Sequence, residues 1–159
     1  MSRNTDDTGK LVLRVTFGGL LFMHGLAKVR DNSFVENAVL DAGLPAFLAY
    51  GVFLGEIVAP VLLIIGLFTR TAATLVAIDM LFALSLVHTG DFGTIAPTGA
   101  WAIELPVLFL LGAIAIGLLG PGTFAVAWSP NRDLVRSEPR EVGVRRAHEI
   151  RPTPVSRGL

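Results

Sequence analysis

The sequence predicts an all-α membrane protein, a four-transmembrane-helix bundle with both termini cytoplasmic. Three observations lead there. With 52% hydrophobic content over 159 residues and a mean hydropathy of +0.64, the chain is too apolar for an ordinary soluble domain. Four apolar runs are separated by glycine-, proline- or polar-rich breaks. The thirteen lysines and arginines also fall overwhelmingly on one side of such a four-span topology. The expected divisions are a polar, disordered N-terminus over residues 1–10, a transmembrane domain over 11–122 and a disordered, arginine-rich cytoplasmic tail over 123–159.

The first helix is expected over residues 11–29, where Arg14, Gly18, Leu21, Gly25 and Lys28 share one stripe. Small residues there let a neighbouring backbone approach closely, so the stripe should face the bundle. A cleaved signal peptide fits this segment poorly. The apolar run is long, and no small-x-small site precedes the next polar stretch. Residues 31–44 form a polar connection with the makings of a short surface helix, closed by Gly43-Leu44-Pro45.

The second helix, residues 45–68, has 24 residues, enough to cross a bilayer. Its one ionisable group, Glu56, lies near the middle, where a carboxylate is most costly and is by default a functional candidate. Gly51, Gly55 and Ala59 form a small-xxx-small face, and Pro60 should kink the helix just beyond the acid. A tight turn then leads into the third helix, residues 72–87, with Asp79 in its inner half. The loop over 88–100 carries no lysine or arginine, and Trp101 stands where an interfacial anchor belongs. The fourth helix, residues 102–119, has Glu104 in its first turn, where an acid also favours the helix dipole, and stops at Gly120-Pro121-Gly122.

With both ends inside, the cytoplasmic side receives Arg3, Lys10, Arg14, Arg70 and the seven tail arginines, against only Lys28 and Arg30 outside. Lys28, His24, His88, Asp91 and Glu104 then gather at the outer end. Glu56 lies near mid-depth, and Arg14, Asp79 and Arg70 lie in the inner half. Matching the centres of the first two helices sets Glu56 level with Leu20. His24 is then about 6 Å outward and Arg14 about 9 Å inward, both within reach as partners. The ligand or proton-relay candidates are therefore Glu56, Arg14, His24, Lys28 and Glu104, with Arg70, Asp79 and His88 secondary. The bland alternative has the cations snorkelling to headgroups and Glu104 only capping its helix.

The absence of cysteine excludes disulfides, thiolate metal sites and a dithiol relay within the chain. His24, His88 and Glu104 have no recognised ligand spacing, so no metal site is expected. No nucleotide or haem motif is present, so electrons would have to come from another chain. The tail has arginines without interleaved aromatics and four diluting acids, which argues against nucleic acid and for anionic lipid or a cytoplasmic partner.

Arg14, Gly18, Phe22, His24-Gly25 and Lys28, then Gly43-Leu44-Pro45, Glu56, Gly66-Leu67-Phe68-Thr69-Arg70, Ala73, Val87-His88, Gly99, Glu104, Pro106 and Gly120-Pro121-Gly122 together resemble the bacterial DoxX family. The resemblance covers nearly the whole membrane portion. It departs after Gly122, where the family often continues to a Ser-x-Asp end and this chain has Thr123-Phe124-Ala125-Val126-Ala127. It implies a four-helix protein of the bacterial cytoplasmic (inner) membrane. It also implies links to quinone-coupled sulfur oxidation and membrane-associated oxidoreductase assemblies. Two expectations follow. In the first, the protein is a membrane subunit or scaffold of a redox assembly. Arg14, His24, Glu56 and Glu104 hold a quinone headgroup or pass its protons, while a soluble or membrane redox partner supplies the electrons. In the second, the same residues serve a small-ligand binding or transport module, with a homodimer supplying symmetry.

Overall fold

The structure, a computed structural model, describes residues 3–126. Residues 1–2 lie outside the described residues, as do residues 127–159 of the tail expected over 123–159; its first four residues, 123–126, are instead held by hydrogen bonds to Asp7, Arg14 and Ile65. The order of elements is α1 (Arg3–Arg30), α2 (Ser33–Asp41), a 3-10 turn (Ala46–Gly51), a π-turn (Leu54–Val58), α3 (Ala59–Ile65), α4 (Thr69–Leu86) and α5 (Glu104–Leu119). Among the described residues the only β-type pairing is an isolated bridge between Ile95 and Trp101.

The polar residues ahead of the first apolar run, expected to be disordered, continue α1 from Arg3. Local pairing explains why: Asp6 occupies the first turn and accepts from Lys10 Nζ one turn on at 2.8 Å. Asp7, on the buried side, accepts from the Thr123 hydroxyl at 2.8 Å and from its backbone N–H at 3.2 Å. Beyond α1, Ser33 N–H bonds to Asp31 Oδ1 at 2.9 Å and starts the surface helix α2.

The second run, Ala46–Ile65, is continuous over 20 residues but changes winding twice. Its middle is the π-turn, in which Ala59 N–H reaches back to Leu54 O. Pro60 follows at once and has no N–H to give to Glu56 O, so the helix cannot keep a regular α-register there. The expected kink thus takes the form of a local widening around Glu56. α3 ends at Gly66, whose φ of 77° lets the Gly66 and Leu67 amides turn back on Leu62 O and Leu63 O. Phe68 is also left-handed, at φ 47°, which makes the reversal into α4 abrupt.

α1 packs against the Ala46–Ile65 run and against α5, and α4 packs against the same two, so the four segments close a ring. The shared core holds Phe17 and Leu21 of α1, Ala59 and Leu63 of α3, Val76 and Met80 of α4, and Phe109 and Ile116 of α5. Phe17 meets Phe109 edge-to-face at 5.4 Å, with Gly112 opening space for the Phe17 ring. Large apolar side chains such as Leu20, Met23, Leu108 and Leu118 face outward, the reverse of a soluble bundle.

Three segments, Asn4–Arg30, Ala46–Ile65 and Thr69–Leu86, are long and apolar enough to cross a membrane. α5, at 16 residues, is shorter, about 24 Å by helical rise. Its end is nevertheless tied to the start of α1 through Thr123 and Asp7.

Candidate functional site

The α1 glycines set the register of the site. A Cβ at Gly18 would press on Pro60 O and Ile64, and one at Gly25 would overlap the backbone carbonyl of Glu56. The glycine stripe therefore does face the second run, on its Glu56–Pro60–Ile64 side. Gly55 turns the other way, into α4, where any Cβ would collide with the Asp79 side chain. Gly51 has open space around it.

This register corrects the expected partner of Glu56. The acid is level with Gly25, not Leu20, about 7.5 Å further toward the C-terminus of α1. Its partner is Lys28, whose Nζ stands 2.5 Å from Glu56 Oε1. Side chains on a helix lean toward its N-terminus, so the long Lys28 stem runs inward to the acid rather than outward to headgroups. Glu56 is 5% exposed at its side chain and Lys28 29%, which makes this the most deeply set ion pair among the described residues.

Asp79 joins the pair. It packs on Gly55 and faces the charges of both Glu56 and Lys28. Gly55 and Asp79 each lie twelve residues from Leu67, the register that a tight hairpin of antiparallel helices imposes. Asp79 therefore sits at the depth of Glu56, not in the inner half. Glu56 Oε2 and Asp79 Oδ2 are buried without a hydrogen-bond partner among the described residues. Two carboxyls thus stand against one ammonium.

The three residues line a cavity of about 310 Å³ between the second run and α4, covered at one end by Phe34, Val35 and Val39 of α2. Leu54, Ile78 and Phe82 belong both to its wall and to the exposed outer surface of the bundle. The cavity thus opens sideways, between two spans. An apolar, laterally open chamber with a few convergent polar atoms suits the polar end of an otherwise lipophilic molecule.

The other candidates lie elsewhere. His24 is exposed and stacks edge-to-face on Phe109 of α5 at 5.6 Å, away from Glu56. His88 lines the cavity rim, with Nδ1 3.0 Å from Asp91 Oδ2. Glu104 is exposed in the first turn of α5 and does not line the cavity. Arg70 is exposed, its guanidinium beside Gly120. Arg14 is fully buried at the other end of the bundle. Its Nη2 donates to Phe124 O at 3.3 Å and its Nη1 lies against Gly66, while Nε and Nη1 have no hydrogen-bond partner among the described residues. Guanidinium against the C-terminal end of α3 is a favourable dipole contact, and the Val126 N–H to Ile65 O bond completes this seam.

Comparison with known proteins agrees with the residue pattern. The family model described as DoxX matches residues 9–89. The chain is 33% identical over 114 residues to a Bacillus subtilis (strain 168) protein named "Putative oxidoreductase CatD", covering 72% of this chain and 81% of the relative. It is 35% identical over 103 residues to an uncharacterized protein of Haemophilus influenzae (strain ATCC 51907 / DSM 11121 / KW20 / Rd), covering 62% of this chain and 75% of that one. No solved structure matches.

Proposed function

The chain belongs to the DoxX family of membrane proteins, and from that premise we propose that it is the membrane subunit or scaffold of a redox assembly. Its Lys28–Glu56–Asp79 cavity holds the head of a quinone-type carrier. The observation that carries this reading is the cavity itself: apolar, open to the side, and ending at two unpartnered carboxylate oxygens beside an ammonium. A lipid-soluble carrier can enter such a chamber from the bilayer with its tail left among Leu54, Ile78 and Phe82. The word oxidoreductase in the Bacillus relative's name supports the redox setting. The chain itself supplies no cofactor, and a soluble or membrane partner exchanges electrons with the carrier.

The proposed setting is the bacterial cytoplasmic membrane, with four spans and both termini inside. Eleven of thirteen cations then lie on the cytoplasmic side. A small-ligand binding or transport module is the second reading, favoured by the same cavity taken without the relative's name. Lipid extraction of gently purified protein separates the two. A stoichiometric quinone, lost in Glu56→Gln, supports the first reading; a quinone-free preparation that binds a water-soluble solute in the same cavity supports the second.

A further inference from the structure

The cluster in the cavity has a hydrogen-bond polarity. Ionised carboxylates only accept, and the two free oxygens, Glu56 Oε2 and Asp79 Oδ2, are both acceptors. The lone donor group is the Lys28 ammonium, with one of its three N–H groups committed to Glu56 Oε1. A quinone head also only accepts, through its carbonyls. Within the cluster, such a head finds donors at Lys28 alone and faces two oxygens that repel it.

Charge leads to the same point. With all three groups ionised the cluster carries one negative charge more than Lys28 balances, and a neutral head filling the chamber would bury that excess. One proton removes both problems at once. Glu56 already has Lys28 as its ion-pair partner, whereas Asp79 makes no hydrogen bond among the described residues, so the proton belongs on Asp79. Protonated Asp79 turns from acceptor to donor and completes, with Lys28, a pair of donors for a carbonyl-bearing head.

Resting on the quinone reading above, we propose that Asp79 takes up one proton when the oxidised carrier enters the cavity and gives it up when a dihydroxy, reduced head takes its place. The reduced head brings its own O–H donors to the free carboxylate oxygens and needs no proton from the site. The other titratable groups facing the chamber are Lys28 from α1, Glu56 from the π-turn and His88 with Asp91 after α4, while the α2 residues over it carry no charge.

The test uses the full-length protein in lipid nanodiscs, with a decyl-chain benzoquinone and its dihydroxy form as probes, titrated between about pH 5 and about pH 9. One proton taken up on binding makes affinity rise by at most about tenfold for each unit the pH falls. The oxidised probe should show a rise approaching that limit at the alkaline end and level off at lower pH, where Asp79 is already protonated in the empty site, and the reduced probe should lack the alkaline-side rise. Asp79→Asn, whose amide always offers a donor, should bind the oxidised probe with a flat pH profile; His88→Gln should keep the wild-type slope. A flat profile for the oxidised probe in the wild type would overturn the proposal while leaving the quinone reading in place. So would a slope that survives Asp79→Asn or vanishes in His88→Gln. Failure of both probes to bind at any pH would overturn the two together.

Discussion

Lys28 Nζ lies 2.5 Å from Glu56 Oε1, and that pairing joins the C-terminal end of α1 to the π-turn of the second run. Glu56 is nearly inaccessible, so removing Lys28 would leave a buried carboxyl without its ion-pair partner. Lys28→Met should therefore destabilise the bundle by about 3 kcal/mol, the low end for breaking a buried pair because Lys28 keeps part of its surface free. The double variant Lys28→Met with Glu56→Gln should recover much of the loss. Thermal unfolding in detergent, read as a double-mutant cycle, checks this; equal stability of Lys28→Met and wild type would show that the pair holds nothing together.

Close backbone approach is the second feature open to test. At Gly25 any Cβ would meet the Glu56 carbonyl, which is backbone and cannot swing aside, whereas at Gly19 the space is open. Gly25→Ala should cost about 1–3 kcal/mol through forced separation of α1 from the second run. Gly19→Ala should be neutral or slightly stabilising by helix propensity. The contrast between the two melting temperatures is the measurement, and similar shifts would contradict the register.

Much of this was readable from the chain. The four apolar runs, the short surface helix, the stop at Gly120 and the disturbance at Pro60 all follow from composition and from what proline and glycine do to a helix. The polar site was only half readable. Glu56 stands out by depth, but aligning the midpoints of two apolar runs does not give its partner, because packing does not respect midpoints. The register is instead set by where glycines permit close approach, Gly25 to the Glu56 backbone carbonyl and Gly55 to the Asp79 side chain. The equal spacing of Gly55 and Asp79 about Leu67 was available in the sequence, and it would have raised Asp79 from a secondary candidate to a member of the site. Lys28, a candidate by sequence, does not read there as the partner of Glu56, because a lysine near a helix end ordinarily reaches toward the headgroups. His24 and Glu104 share the outer end with the site by count of residues, yet they face other neighbours.

Arg14 makes a separate prediction at the opposite end. It is fully buried, with no carboxylate in hydrogen-bond contact among the described residues, and its hydrogen bond to Phe124 O helps hold residues 123–126 across the end of α3. Arg14→Met keeps much of the stem's packing and removes that bond, so stability should fall by about 1–3 kcal/mol. The sharper readout is hydrogen exchange at the Val126 amide, which bonds to Ile65 O and should exchange faster once the seam loosens. Unchanged protection at Val126 would mean that Asp7 and Thr123 suffice to hold the segment.

The last prediction concerns the number of crossings. Thr123 bonds to Asp7, Phe124 accepts from Arg14, and Val126 donates to Ile65, so the end of α5 lies at the same level as the start of α1 and the end of α3. Lys28 and His88 line one cavity and mark the opposite level. A chain that leaves His88 at one level and reaches Thr123 at the other must traverse the bundle in between, and α5 is the segment that does so despite its 16 residues. That argues for four crossings and an even topology. The absence of native cysteine makes the test clean, since single cysteines can be placed without background. In intact cells a membrane-impermeant maleimide should label Gly90→Cys, in the exposed loop after α4, and should leave Thr71→Cys, beside the reversal at Phe68, unlabelled until the membrane is opened. A cysteine appended after Leu159 should behave like Thr71→Cys. Labelling of that terminal cysteine from outside, with Gly90→Cys also labelled, would mean that α5 does not cross and that the count is three.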